Sequence, residues 1–358
     1  MRIAQIAPLA EAVPPRLYGG TERVISWLTE ALVADGHDVT LYASGDSVTS
    51  ARLVACADQA LRLQDVNNHL SYTVAMMDRV MRDADQFDVL HFHTDFVHFP
   101  PFRPLADHIL TTLHGRLDIP DFWPAFRAFP DMKLTSISDS QRLPIADANF
   151  IATVYHGLPP SLIPFNPAGG DYLAFLGRFS PEKRPDRAIE IARRTGMKLK
   201  MAAKVDVADR DYFTNQIEPL LDDPMIEYVG EIGDADKAEF LGNARALLFP
   251  IDWCEPFGLV MIEAMAAGTP TIAWRNGSTP EVMDDGRSGW LVDSIDQAVA
   301  AVERCATLPR ATVRACFEER FTDQRMARDY VRLYQAMMAE AKTGARDARF
   351  HRPMKLAS

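Results

Sequence analysis

Short apolar runs alternate with longer amphipathic runs along most of the chain, and this alternation limits the possible folds more than any other feature. The runs are bounded by Gly, Pro or Asp, which is typical of βαβ units that build parallel sheets. Between the first two apolar runs, the spacing of Val24, Leu28 and Leu32 predicts an amphipathic helix that ends at Gly36. The predicted strands are Arg2–Ala7, Asp38–Ser44, Asp88–His93, His108–His114, Lys133–Ser138, Ile151–His156, Tyr172–Gly177, Lys198–Val205, Ile226–Ile232, Ala246–Ile251 and Thr271–Trp274.

The length and a proline-rich segment predict two domains. The chain has 358 residues, and a single domain usually has roughly 100–200. The segment 157–170, GLPPSLIPFNPAGG, is rich in Pro and Gly and predicts a linker. We therefore predict an α/β protein with two doubly wound, Rossmann-like domains over 1–165 and 171–322, a C-terminal helix over 323–342 and a flexible tail over 343–358.

Composition indicates an ordinary soluble globular protein. Hydrophobic residues make up 47% and charged residues 24%, which argues against disorder and coiled coils. No run approaches the roughly 18 apolar residues of a membrane span, so we expect no stable membrane insertion. The four cysteines form no C-x-x-C pair and indicate reduced thiols. We predict a cytoplasmic protein, and peripheral attachment to the inner face of the membrane is left open.

The charge balance disfavours polyanionic partners. Lys and Arg total 38 against 49 Asp and Glu, for a net charge of −11, so we expect no nucleic-acid binding. An anionic ligand therefore needs a local positive site. The basic tail, with Arg346, Arg349 and Arg352, offers a contact with acidic lipid, but a solvated end is the preferred interpretation.

Two loops after predicted strands suit an anionic ligand, because ligands of open parallel sheets bind beyond the carboxyl ends of the strands. Gly19 and Gly20 precede a predicted helix, where exposed backbone amides favour a phosphate, although a simple turn explains them equally well. Arg178 and Lys183 place positive charge after the strand Tyr172–Gly177. The chain contains neither G-x-G-x-x-G nor a P-loop motif.

A third loop combines a helix start with two carboxylates. Phe257, Gly258 and Leu259 open a predicted helix whose first amides, including that of Val260, form another anion site. Glu255 precedes this helix. Glu263 lies within it among apolar neighbours. A carboxylate there is costly unless it accepts hydrogen bonds, and sugar hydroxyls supply them.

The pair Glu255 and Glu263, spaced E-x₇-E in EPFGLVMIEAMAAGTP, resembles the signature of retaining GT-B glycosyltransferases of family 4. Further similar segments, distributed over most of the length of the chain, are YGGTERV, TLHG, FLGRFSPEKRPDRAI, EYVGEI and DDGRSGWLV. The resemblance implies a GT-B fold in which the first domain binds the acceptor, the second binds a nucleotide diphosphate sugar, and the last helix crosses back. It also implies a hexosyltransferase that retains configuration by a front-face mechanism, without a metal or any cofactor besides the sugar co-substrate.

The resemblance also implies roles for individual residues. Arg178 and Lys183 would hold the donor diphosphate, Glu263 the ribose hydroxyls, and Glu255 the transferred sugar. His114 would lie beside the anomeric carbon, and backbone around Val229–Ile232 would receive the base. The catalytic set is thus His114, Arg178, Lys183 and Glu255, and the donor-binding set is Gly19, Gly20, Arg178, Lys183, Val229, Ile232, Glu255, Phe257, Gly258, Leu259, Val260 and Glu263.

One position departs from the family pattern, and several alternatives stay open. Arg184 stands where the family often has Gly after the lysine, so it either adds a phosphate contact or points to solvent. UDP-glucose is the first expectation for the donor and GDP-mannose the second. The acceptor is unidentified and is a sugar, a glycan, a lipid-linked compound or a small molecule. A nucleotide-sugar epimerase and a non-catalytic nucleotide-sugar binder are the alternatives.

Weaker motifs have both structural and functional interpretations. His91 and His93 share a strand face, where a metal site is conceivable. The acidic pairs at Asp209 and Asp234 fit D-x-D, but the second is typical of a helix start. Aromatic rings in the segment 115–130 either stack on an acceptor sugar or pack under a loop. They are Phe122, Trp123, Phe126 and Phe129.

Overall fold

The computed structural model describes residues 1–16, 19–64, 66 and 68–350, and for residues 235 and 344–350 it describes the backbone alone. Within these residues the strands form two sheets, one in each half of the chain, and all neighbouring strands are parallel. This arrangement confirms the predicted α/β class. Both faces of such sheets are covered by helices, so their central strands are almost wholly buried.

The first sheet has seven strands in the order β3-β2-β1-β4-β5-β6-β7. The strands are β1 Arg2–Ile6, β2 Asp38–Ser44, β3 Arg52–Ala57, β4 Val89–Phe92, β5 Ile109–Thr112, β6 Leu134–Ser136 and β7 Phe150–Thr153. The α-helices of this half are α1 Gly20–Ala34, α2 Leu70–Asp83, α3 Phe99–Phe102, α4 Trp123–Ala128 and α5 Asp139–Arg142. Short 3₁₀ segments cover Leu61–Gln64, Ala84–Gln86, Arg103–His108, Pro120–Phe122 and Leu143–Ile145.

The second sheet has six strands in the order β10-β9-β8-β11-β12-β13. They are β8 Tyr172–Arg178, β9 Lys198–Lys204, β10 Ile226–Gly230, β11 Ala244–Phe249, β12 Thr271–Trp274 and β13 Gly289–Val292. The α-helices are α6 Pro185–Thr195, α7 Arg210–Tyr212, α8 Asp234–Gly242, α9 Leu259–Ala267, α10 Thr279–Val282, α11 Ile295–Cys305, α12 Arg310–Arg320 and α13 Asp323–Phe350. The 3₁₀ segments are Pro181–Lys183, Val207–Asp209 and Glu218–Leu220, and Phe213–Ile217 is a π-helical turn.

Each predicted strand corresponds to an observed one, and the sequence analysis missed two. β3 is an edge strand whose residues are only partly buried, and β13 is short and begins with Gly. Neither has the continuous apolar run that identifies a buried parallel strand. These two misses leave the order of the central strands, where the site lies, unaffected.

The chain returns from the second half to the first through a close backbone contact. The Leu158 amide donates to the Phe321 carbonyl at 2.9 Å, and the Asp323 amide donates to the Leu158 carbonyl at 3.1 Å. A Cβ at Gly157 would lie 2.2 Å from the Thr322 oxygen, so only glycine permits this approach. The linker is thereby fastened to the start of α13.

Helix α13 packs against α1, with Tyr330 and Tyr334 fully buried. Its backbone continues to Phe350, whereas the prediction from the sequence ended the helix at position 342 and placed a flexible tail from position 343. The last part of that predicted tail, 351–358, lies outside the described residues.

In the part of the chain that is described, no helix combines the length and the apolar character needed to cross a membrane. All four cysteines are free.

Candidate active site

A cavity of about 500 Å³ lies between the two halves, beyond the carboxyl ends of their central strands. Both halves contribute to its wall, as expected for a ligand that is held between two doubly wound units. The predicted site residues that line it are Gly19, Gly20, His114, Arg178, Lys183, Ile232, Glu255, Phe257, Gly258, Leu259, Val260 and Glu263. Val229 is absent from the described lining residues and is 37% exposed on β10.

The start of α9 presents backbone amides to this cavity. Gly258 caps the helix with φ 80°, a left-handed conformation that favours glycine. A Cβ at this position would lie 2.6 Å from the Met261 methyl carbon. The amides of the first helical turn have no intrahelical acceptor, so those of Leu259 and Val260 are suited to an anion. Gly20, which begins α1 in the first half, also lines the cavity.

Lys183 and Glu255 form an ion pair inside the cavity. Their side chains are only 15% and 11% exposed. The Lys183 ammonium also lies 4.7 Å from the centre of the Trp253 ring, a cation–π distance. The resemblance implies a diphosphate partner for the lysine and a sugar partner for the glutamate. The structure adds that the two side chains are direct partners, so an anion that binds Lys183 competes with Glu255.

Arg178 lies among carboxylates as well as in the cavity wall. Its guanidinium is 3.1 Å from Glu182 and 3.2 Å from Asp206, and Asp209 is 3.8 Å away. Burial tends to raise the pKa of Asp206, but hydrogen bonds from Lys204 and Arg178 outweigh it and keep that pKa below its usual value. The positive site expected from the sequence is therefore partly neutralised around Arg178.

The sequence analysis missed a chain of charges around Glu263. The Lys237 ammonium is 2.7 Å from the Glu263 carboxylate and 3.4 Å from that of Asp234. Asp234, at the start of α8, also pairs with Arg23 of α1. The ion pair of Arg23 and Asp234 thus joins the two halves across the cavity. The available signal was Arg23 within the YGGTERV segment, a charged residue in the first turn of a predicted helix that follows the Gly19–Gly20 pair.

The part of the cavity wall that comes from the first half of the chain is called the first-sheet wall here. A compact group of histidines lies at this wall. His114 Nε2 lies 2.8 Å from His93 Nδ1, and His156 stacks on His114 with ring centres 5.3 Å apart. Burial lowers the pKa of His114 to about 3, so its ring is neutral near pH 7. The conceivable metal ligands His91 and His93 form hydrogen bonds with the side chains of Tyr334 and Gln5, respectively. Among the described residues, no group of three or more His, Cys, Asp or Glu side chains is arranged for a metal ion.

The first-sheet wall contains further charged residues that the sequence analysis did not identify. Arg62 and Glu11 form an ion pair at 2.7 Å, and burial raises the pKa of the nearby Glu22. Arg116 lies over the Trp253 ring at 5.4 Å. All four charged residues line the cavity.

Aromatic rings of the segment 115–130 pack against other rings of the first half. Phe126 lies edge-on to Phe99 and to Phe96, with ring centres about 6 Å from each. None of the four rings considered in the sequence analysis belongs to the described lining of the cavity.

Arg184 has a left-handed backbone, with φ 51° and ψ 54°. This conformation accounts for the glycine that the resemblance places at this position. The side chain pairs with Asp186 at 2.7 Å and Asp252 at 3.0 Å, and it does not line the described cavity. These carboxylates hold the arginine in a conformation that costs a side-chain-bearing residue roughly 1–2 kcal/mol.

Replacing Arg184 by Gly and by Ala separates the backbone strain from the ion pairs. Both changes remove the pairs, which are worth about 0.2–1 kcal/mol each at partly exposed positions, but only Gly relieves the strain. We expect Arg184→Ala to be less stable than Arg184→Gly by about 1 kcal/mol, measured by urea unfolding. Equal free energies of unfolding for the two variants would contradict a strained Arg184.

Family models and known structures match this chain over most of its length. The model described as Glycosyl transferases group 1 matches residues 164–314, and the model described as Glycosyltransferase Family 4 matches 18–174. A phosphatidyl-myo-inositol mannosyltransferase from Mycobacterium leprae (strain TN) is 27% identical over 349 residues, covering 88% of this chain and 89% of the relative.

Solved structures show the same fold. Sucrose-phosphate synthase from Thermosynechococcus elongatus has a TM-score of 0.76 at 18% identity, covering 95% of this chain and 99% of that chain. The Anabaena protein HepE in complex with UDP and glucose has a TM-score of 0.71 at 15% identity, covering 94% and 100%. The predicted GT-B fold is confirmed. The chain belongs to the group 1, family 4 glycosyltransferases and is a transferase enzyme with the GT-B fold.

Proposed function

We propose that this enzyme moves a hexose from a nucleotide diphosphate sugar to an acceptor hydroxyl, with retention of configuration and without a metal or other cofactor. The observation that carries the proposal is the cavity wall itself. It places Lys183, the amides at the start of α9 and the carboxylates of Glu255 and Glu263 around one space. A diphosphate, a hexose and a ribose require this combination of cation, amides and hydroxyl acceptors.

The charges along the reaction explain these placements. As the bond between the sugar and the phosphate breaks, negative charge grows on the diphosphate and positive charge on the anomeric carbon. Lys183, Arg178 and the amides of Leu259 and Val260 stabilise the diphosphate, and such stabilisation is usually the largest catalytic contribution. When the diphosphate occupies Lys183, Glu255 is released to bind sugar hydroxyls. On the same face, the acceptor oxygen bonds to the anomeric carbon and the departing phosphate oxygen takes the acceptor proton.

UDP-glucose is the first expected donor, and GDP-mannose is the second. The Anabaena structure that shares this fold holds UDP and glucose, while the Mycobacterium leprae relative is named as a mannosyltransferase. In the proposed arrangement, backbone near Ile232 receives the base. Backbone contacts leave no signature of the base in the residue types, because nearly every residue type offers the same amide and carbonyl groups.

A thermal-shift panel of nucleotide diphosphate sugars tests the donor assignment. A donor present at 100 times its Kd stabilises the folded protein by about 2.7 kcal/mol. We expect UDP-glucose to give the largest rise in Tm, with EDTA leaving the rise unchanged. The free hexoses serve as controls and should give no shift. A flat panel, with UDP- and GDP-sugars alike, would overturn the donor assignment.

Product analysis distinguishes transfer from the two alternatives. A transferase consumes donor and acceptor together, an epimerase isomerises or releases the sugar without an acceptor, and a non-catalytic binder leaves the donor intact. The first-sheet wall favours transfer, because Glu11, Glu22, Arg62 and Arg116 provide polar groups beyond those that the donor needs. We expect donor turnover to depend on an added polyol or sugar acceptor, measured by chromatography of both products.

A further inference from the structure

A chain of hydrogen bonds runs from the cavity wall to helix α13. His114 Nε2 lies 2.8 Å from His93 Nδ1, and His93 Nε2 lies 2.7 Å from Gln5 Oε1. The Gln5 amide nitrogen is 3.3 Å from the Tyr334 hydroxyl, which in turn is 2.7 Å from His91 Nδ1. His91 lies on β4, His93 directly follows that strand, and Gln5 lies on β1; all three are almost completely buried. Two strands and the last helix therefore hold the ring of His114 through side chains alone.

The chemistry of each group gives this chain a direction. The Gln5 nitrogen only donates, so the Tyr334 oxygen accepts there and directs its own proton to His91. The Gln5 carbonyl only accepts, so His93 carries its proton on Nε2. Burial lowers the pKa of His93, which keeps its ring neutral and leaves Nδ1 as an acceptor. His114 must then donate from Nε2.

His114 is left with one unused nitrogen. Its ring is neutral for the same reason, so a proton on Nε2 makes Nδ1 a lone-pair acceptor. Nδ1 has no hydrogen-bond partner among the described residues, and His114 lines the cavity. A buried acceptor without a donor is unfavourable, and a ligand hydroxyl would satisfy it.

We propose that Gln5 and His93 are positioning residues that fix His114 as the Nε2–H tautomer, so that its Nδ1 accepts a hydrogen bond from a hydroxyl of the bound substrate. This inference rests on the proposed function for the identity of the ligand as a polyhydroxylated sugar. It assigns His114 to a hydroxyl and excludes it as a hydrogen-bond donor to the diphosphate. It also gives the returning helix α13 a part in orienting the site, through Tyr334.

Nitrogen NMR on the full chain labelled with ¹⁵N-histidine tests the tautomer directly. The His114 signals are assigned by their loss in His114→Asn. We expect a protonated, pyrrole-type Nε2 and an unprotonated, pyridine-type Nδ1 in the unliganded protein. A proton on Nδ1 would mean that the Gln5 amide is turned over and the chain runs in the opposite direction, which overturns the inference without any variant.

Substitutions of Gln5 show whether the chain causes the tautomer. Gln5→Leu removes the acceptor for His93, so we expect a mixture of His114 tautomers and a kcat/KM lower by about tenfold, the effect of one hydrogen bond. Gln5→Glu keeps the acceptor and should keep the Nε2–H form. A pure Nε2–H tautomer in Gln5→Leu would contradict the positioning role.

Two tyrosines on the same helix provide a matched pair. Tyr334→Phe removes the partner of the Gln5 amide, whereas Tyr330→Phe removes an equally buried hydroxyl that bonds to Thr112 at 2.9 Å. We expect mixed tautomers only in Tyr334→Phe.

UDP binding by calorimetry separates a failure of the proposed function from a failure of the tautomer inference. Absent binding with an Nε2–H His114 would defeat the proposed function alone, and normal binding with an Nδ1–H His114 would defeat this inference alone.

Discussion

Lys183→Ala is expected to lower kcat by about 10²–10³-fold, the cost of removing one group that stabilises developing charge. Lys183 lies in the cavity wall, over the Trp253 ring and beside Glu255. Alanine leaves the diphosphate without this cation in the transition state. The measurement is steady-state transfer from UDP-glucose, followed by release of the nucleoside diphosphate.

A drop in kcat must be separated from a loss of folding. Removing Lys183 leaves the Glu255 carboxylate as an uncompensated, mostly buried charge, which itself destabilises the protein. We therefore expect Lys183→Ala combined with Glu255→Gln to unfold closer to the wild type, while turnover stays low. Lys200→Ala is the matched control, because Lys200 pairs with Glu227 at 3.4 Å and lies outside the described cavity lining. A folded Lys183→Ala enzyme with near-normal turnover would contradict the assignment.

Glu263→Gln is expected to weaken donor binding by about 10–100-fold, because hydrogen bonds to a charged group contribute roughly 1.5–3 kcal/mol. Glu263 is only 3% exposed, lines the cavity and accepts from Lys237 at 2.7 Å. Glutamine has a similar shape but accepts fewer hydrogen bonds from the ribose hydroxyls. Titration calorimetry with UDP measures the change in Kd.

The ribose contact has a test of its own. A 2′-deoxy and 3′-deoxy UDP pair should bind the wild type more weakly than UDP does, whereas Glu263→Gln should lose little further affinity for them. Glu239→Gln on α8 is the control, since Glu239 is exposed and absent from the described lining. If the affinity losses of the variant and the analogues simply add, Glu263 and the ribose do not interact.

Local patterns predicted much of the site, because the ligand-binding loops follow directly from the strand alternation. The glycines at 19, 20 and 258 and the pair Glu255 and Glu263 are local motifs, and the structure brings all of them to one cavity. Val229 is the exception. The predicted base contact covered the backbone segment Val229–Ile232. The twist of β10 and the point at which the strand ends decide which of these residues face the cavity.

The sequence analysis missed pairings between residues that lie far apart in the chain. Arg23 and Asp234 are 211 positions apart, and Lys183 and Glu255 are 72 apart. Hydrophobic periodicity carries no information about such pairs, because it reports only which face of an element is buried. The same holds for Gln5 and Tyr334, which are 329 positions apart and meet only because α13 returns to the first sheet.

The sequence by itself determined the α/β class, most of the strands of each half, the family resemblance and the loops that carry the ligand groups. Those properties depend on short-range spacing, which a linear pattern contains. Only the tertiary structure decided which charges are partners, that Arg184 adopts a strained backbone, and that His114 is held through His93 and Gln5. Ion pairs and buried hydrogen bonds act over a few ångströms, so they depend on the packing of the two halves rather than on the order of residues.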